Sequence, residues 1–108
     1  MTPNEATLAK FKLGQIIRHR LFNYRGAIFD VDPNYCGTDE WYNFMARSRP
    51  PKDRPWYHVL VNNSQNITYV AEQNLSEEID PTPIRHPALN EKFQEFSSGI
   101  YTKVNKIN

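Results

Sequence analysis

The sequence is poor in several residues and patterns on which chemistry usually depends. It has one cysteine, Cys36, so no internal disulfide framework is available, which fits a reducing compartment. No basic or histidine residue lies within a turn of chain to lower the thiol pKa. Only four glycines occur in 108 residues, with no G-x-S-x-G elbow, phosphate-cradling loop or dinucleotide fingerprint. Nucleotide binding by close backbone approach is therefore excluded from the expectations. Long apolar runs are missing too; nowhere do 18 apolar residues follow one another, so no membrane-spanning helix is expected. The start, Met1-Thr2-Pro3-Asn4-Glu5, has neither the basic head nor the apolar stretch of a signal peptide. A cytoplasmic location is the expectation, and the N-x-S/T sequons at Asn62, Asn66 and Asn74 read as accidents of an Asn-rich turn. Net charge is almost absent at +1, which argues against a globally basic nucleic-acid coat.

Metal and acid–base chemistry find no support in the spacing. His19, His58 and His86 are far apart and have no Cys or His at ligand spacing. Asp30-Val31-Asp32-Pro33-Asn34 resembles the start of a calcium loop, but the sixth position is Tyr35 rather than Gly and the twelfth is Trp41 rather than Glu. Asp32 before Pro33 reads as a strand end. No catalytic residue, metal or cofactor is expected, and the chain reads as a non-enzyme.

What the sequence does have is proline, at eight residues, and aromatics, at 13%. Its length fits one domain, and a chain of this size buries only about two-thirds of its unfolded surface, so an aromatic-heavy core is expected. The small net charge hides an asymmetry. Residues 1–58 hold nine Lys/Arg against six Asp/Glu, and residues 59–108 hold four against six.

Along the chain, residues 1–10 lack periodicity and read as a flexible arm. Gln15–Leu21 alternates, with Ile17, His19 and Leu21 on one side and Arg18 and Arg20 on the other. Phe22–Gly26 reads as a turn, and Ala27–Asp32 as a second strand with Ala27, Phe29 and Val31 inward, ended by Pro33. Thr38 is a candidate N-cap, with Asp39 and Glu40 in the first turn, for a short helix whose apolar side is Trp41, Phe44 and Met45. Arg47–Pro55 cannot stay helical. It is a proline-stiffened loop with four positive charges: Arg47, Arg49, Lys52 and Arg54. Trp56–Val61 and Ile67–Glu72, rich in β-branched and aromatic residues, make a hairpin across Asn62–Asn66. Pro81 and Pro83 mark a linker. Pro87 opens an expected C-terminal helix with Leu89, Phe93 and Phe96 at i, i+4 and i+7, closed by Gly99. That stripe requires cover. Docked across a symmetry axis it makes a homo-oligomer; folded back, it completes a monomer.

These elements predict a mainly β chain: a small SH3-like antiparallel barrel with a short inserted helix and a C-terminal helix. The barrel domain spans 11–78 with an insertion at 34–55, and 79–108 form the linker, helix and tail.

Five segments then carry a resemblance: Gly14–His19, Tyr24-Arg25-Gly26, Asp30–Pro33, Pro55–Val59 and Tyr69–Leu75. In this order and spacing they resemble the heat shock protein HspQ family, the YccV-like or hemimethylated DNA-binding domain proteins. With Arg85-His86-Pro87 and the Phe93/Phe96 segment, the likeness spans nearly the whole chain. It implies a barrel-like β fold in a bacterial cytoplasmic stress protein without accepted catalytic residues. It also implies two activities: turnover of denatured proteins as an adaptor or enhancer of an ATP-dependent, Lon-type protease, and preferential binding of hemimethylated DNA.

The candidate partner or DNA surface consists of Arg18, Arg20, Arg25, Arg47, Arg49, Lys52 and Arg54, to contact phosphates, with Trp41 and Trp56 to stack. Against it stands a solvated surface whose arginines pair with Asp30, Asp32 and Glu40. Trp, Tyr and Arg are also the residues over-represented at protein interfaces. Neither reading is decided by the residues alone.

Overall fold

The computed structural model describes residues 8–103. Most of the expected arm (1–7) and the end of the tail (104–108) lie outside the described residues. Lys10 is tied down, its N–H donating to Glu72 Oε2 at 2.8 Å. The elements are β1 (Ile16–His19), β2 (Arg25–Asp32), α1 (Asp39–Met45), β3 (Trp56–Val61), β4 (Ile67–Ala71) and β5 (Leu75–Glu77). A single helical turn, α2 (Leu89–Lys92), and a hairpin of β6 (Glu95–Ser97) and β7 (Ile100–Thr102) follow. No helix among the described residues is long and apolar enough to cross a membrane.

The chain is mainly β and antiparallel. Five strands lie in the order β4-β3-β2-β1-β5. A 3-10 turn at Glu72–Asn74 carries the chain from β4 to β5, yet among the described residues no ladder joins these two strands, so hydrogen bonding does not close the sheet. β1 and β3 flank β2, which separates His19 from His58.

Both faces of the sheet are covered, and this explains where simple alternation fails. Successive strand residues point to opposite faces. Ile17 joins Phe11, Ile28, Tyr57, Val59, Val70 and Leu75 in one core. Ile16 joins Ala27, Leu60, Ile84, Phe93 and Tyr101 in another. The register places Ile16 beside Ala27 and Ala27 beside Leu60, making a continuous apolar row. Ile28, expected to face outward, is fully buried. A bulge shifts the register between Ile28 and Asp30, leaving Phe29 and Val31 only partly covered. Each fully buried aliphatic side chain contributes about 1.5–3 kcal/mol, so covering the second face matters as much as filling the first.

The expected C-terminal helix is corrected. Phe93 already has extended backbone, φ −137° and ψ 157°, and residues 95–102 form a hairpin instead. Its turn residues, Ser98 (φ 52°) and Gly99 (φ 82°), are both left-handed, as a two-residue hairpin turn requires. Gly99 thus serves a β-turn and not a helix cap. The hairpin wins because it stacks both Phe93 and Phe96 on Tyr101, at 5.2 and 4.6 Å. It also hangs on the start of the sheet, through Tyr101 N–H to Gly14 O at 2.8 Å. The apolar stripe is folded back onto its own chain.

Candidate partner groove

An open apolar groove of about 520 Å³ lies between the β1–β2 turn, helix α1 and strand β4. Its first wall is local in origin. His19 N–H donates to Tyr24 O and Asn23 N–H to His19 O, with Asn23 left-handed at φ 60°. The His19 ring sits inside the turn, and Nδ1 accepts the N–H groups of Leu21 and Phe22, both at 3.1 Å. With its backbone satisfied this way, the turn holds Leu21 and Phe22 outward, 61% and 74% exposed. Burial lowers the His19 pKa and favours the neutral ring that can act as acceptor.

The second wall is α1. Thr38 is its N-cap as expected, accepting Trp41 N–H at 3.0 Å, with Asp39 and Glu40 in the first turn. The inward side differs from the expected one. Tyr42 and Ala46 are buried, and the Tyr42 hydroxyl donates to Pro50 O at 2.7 Å, which ties the proline loop to the helix. Seven residues give too little helix to bury two sides. Once Tyr42 points inward, Phe44 and Met45 are left 78% and 56% exposed.

The floor is aromatic. Trp56 and Ala71 pack with Tyr42 and Ala46, and Tyr35, Trp41 and Tyr69 close around them. Tyr69 is fixed by its hydroxyl, which donates to Asp32 Oδ2 at 2.6 Å. Asp32 also meets His58 Nε2 at 3.1 Å. Asp30, Asp32 and His58 bring one potential metal-ligand atom each within 4.8 Å of one another, a grouping their sequence spacing conceals. Two contacts already engage Asp32 Oδ2.

The candidate residues divide into three sets. Arg18 and Arg25 are structural. Glu78, its side chain 4% exposed, pairs with Arg18 Nη2 at 2.6 Å and Arg25 Nε at 3.0 Å. The Arg18 hydrogen bond, opposed by burial, holds the Glu78 carboxyl below its ordinary range. Arg25 further donates to the carbonyls of Asp80 and Thr82, so it clamps the linker to β2. The partners of Arg18 and Arg25 are thus Glu78 and Asp80 rather than the expected Asp30, Asp32 and Glu40. Arg20 donates to Leu75 O at 3.0 Å.

The second set is the loop. Arg49 bonds Asn43 Oδ1 at 2.8 Å. Lys52 lies over the Tyr42 ring at 4.3 Å and near Asp39 at 3.4 Å. Arg47 and Arg54 are exposed, and Arg47 lines the groove. The third set is the tryptophans. Trp41 is half-buried and lines the groove. Trp56 is 1% exposed, with Nε1 donating to Pro51 O at 3.0 Å; it is core and cannot stack on a base, contrary to expectation. The groove therefore gathers Trp41 and Arg47 with Leu21, Phe22, Phe44, Met45 and Ile67, none of which the candidate surface contained. The adjacent apolar pair Leu21-Phe22 beside a turn was the available signal.

Geometry thus defines a small antiparallel β protein with an apolar groove, a basic loop at its rim and an ion-pair clamp that joins β1 and β2 to the segment after β5. The chain belongs to the YccV-like family, described as hemimethylated DNA-binding protein YccV like, whose sequence model matches residues 9–100.

Proposed function

We propose that the chain is a non-enzymatic binding protein of the bacterial cytoplasm, acting under stress. It takes exposed apolar segments of denatured proteins into the groove and promotes their degradation by an ATP-dependent, Lon-type protease. The observation that carries this reading is the groove itself: five large apolar side chains between 53% and 78% exposed around an aromatic floor. Contiguous exposed apolar surface of this kind marks a partner site. We read the sheet that supports it as an SH3-like barrel left open between β4 and β5; the Tyr24 hydroxyl ties the β1–β2 turn to β4 through Thr68 Oγ1 at 2.6 Å.

The test uses Phe44→Asp with Met45→Asp, two exposed positions whose change leaves the core intact. The double variant is expected to keep the wild-type melting temperature within about 3 °C, since surface changes cost little. It should lose most of its stimulation of protease-driven turnover of a denatured substrate. Unchanged stimulation refutes the groove as the site, and no stimulation by the wild type refutes the adaptor role.

A second reading, DNA binding with preference for hemimethylated sites, is favoured by the family's description. Arg47, Arg49, Lys52 and Arg54 would carry the phosphate contacts, since Arg18 and Arg25 are engaged with Glu78. Neutralising all four is expected to flatten the salt dependence of duplex binding by about three to four charges' worth of slope. An unchanged slope removes the loop from DNA binding.

A further inference from the structure

We infer that the groove takes its partner as an added β-strand along the open edge of β4, and that the preferred segment is extended, alternately apolar and acidic at one end. This rests on the groove being the binding site and specifies what enters it. The register decides which backbone groups are open. Val61 N–H donates to Asn66 O, and Glu72 N–H to Pro55 O, each at 3.1 Å. Hydrogen-bonded pairs in an antiparallel ladder alternate, so Val59–Thr68 and Tyr57–Val70 are the bonded pairs between them. Thr68 and Val70 therefore turn their N–H and C=O toward β3. Ile67 and Tyr69 turn theirs away from it.

β4 is the last strand on its side of the sheet. Among the described residues no hydrogen bond uses the outward backbone groups of Ile67 or Tyr69. The edge is blocked further along, where Ala71 is 3% exposed and packs with Tyr42 and Ala46 near α1. What remains is a short template of about four backbone hydrogen bonds, flanked by apolar side chains. Such an edge pairs readily with an extended chain, and pockets for alternate side chains then supply specificity.

Charge selects the rest. Arg47 is the one ordinarily charged residue lining the groove, and no carboxylate lines it. Exposed Arg49 lies two residues further on. A helical ligand would bury its own backbone groups and leave those of Ile67 and Tyr69 without partners. An extended segment satisfies them, sends alternate side chains against Phe44, Met45 and Phe22, and places a carboxylate near Arg47.

The probe is a fluorescein-labelled ten-residue peptide alternating Val or Phe with Thr and ending in two Glu, measured by fluorescence anisotropy on the full chain. Two further versions are N-methylated at alternate amides, one set on each edge of the peptide. One set is expected to weaken binding at least tenfold and the other less than twofold. Amide exchange at Ile67 and Tyr69 should slow on binding, while Thr68 and Val70, already paired, stay unchanged. Arg47→Glu should reverse the preference between the Glu-ended peptide and a Lys-ended one. Equal effects of the two methylated sets, or unaltered exchange at Ile67 and Tyr69, overturn strand addition. So does failure of every peptide to bind while denatured protein is still captured at the groove. Pairing of β4 with a second copy, seen as peptide-independent dimers protecting the same amides, also overturns it. Capture of denatured protein unaffected by the Phe44/Met45 double variant instead defeats the groove reading on which this inference rests.

Discussion

At the β1–β2 turn, His19 uses one ring nitrogen as acceptor for two backbone N–H groups, while its ring packs between Phe22 and Tyr24 at 4.7 and 5.0 Å. Only a neutral ring with the proton on Nε2 can do this. Burial sets the folded pKa below the unfolded value of about 6.5. The unfolded chain therefore binds the proton first on acidification. The His19 contribution to stability is present above pH ~6.5 and is lost as pH falls through the lower folded pKa. His19→Asn offers an oxygen acceptor near the same place without titrating. In urea titrations it is expected to be less stable at pH 7.5, for lack of ring packing, and to lose less stability than wild type between pH 7 and 5. Equal losses in the two proteins would refute a His19 origin.

Elements were legible where the local signal was isolated. The β3–β4 hairpin stands out because β-branched runs flank a polar loop, and the start of α1 because Thr38 precedes two acids. The apolar side of α1 was not legible, since Tyr42 is directed inward by a bond to Pro50 O across the proline loop. The C-terminal hairpin was hidden for a related reason. Leu89, Phe93 and Phe96 have helical spacing, and only the tertiary partners Gly14 and Tyr101 break it. Gly14 is the position where that docking is most exposed to substitution. Its φ is +83°, and a Cβ there would collide with the Tyr101 carbonyl. Gly14→Ala is expected to cost about 2–4 kcal/mol. Gly99→Ala, with φ +82° but only ordinary van der Waals contact with Pro81 from 3.5 Å outward, should cost only about 1–2 kcal/mol. Urea unfolding of both variants checks this order, and equal losses would show that the contact with Tyr101 adds nothing to the backbone term.

Over the whole molecule, the charge imbalance between the two halves of the sequence does not survive folding intact. β5 pairs with β1, which carries Glu78 from the acidic half onto Arg18 and Arg25 of the basic half. Linear charge counting could not see this, and it left those arginines in the candidate surface. The aromatic excess was the better guide, yet it divided in a way composition cannot resolve: Trp56 went to the core, Trp41 to the groove, and Phe22 and Phe44 to the rim. Whether an aromatic is covered depends on elements far away in sequence.

The pairing of β1 with β5 has a further consequence for how the chain is made. Ile17 lies opposite Glu77, and Ile16 reaches its full cover only with Phe93 and Tyr101. A ribosome releases β1 long before either partner exists, so the first strands leave it with both apolar faces bare. Such sequence-distant pairings also fold slowly. During synthesis a nascent copy of this chain displays the same class of exposed apolar segment that its finished groove is proposed to hold.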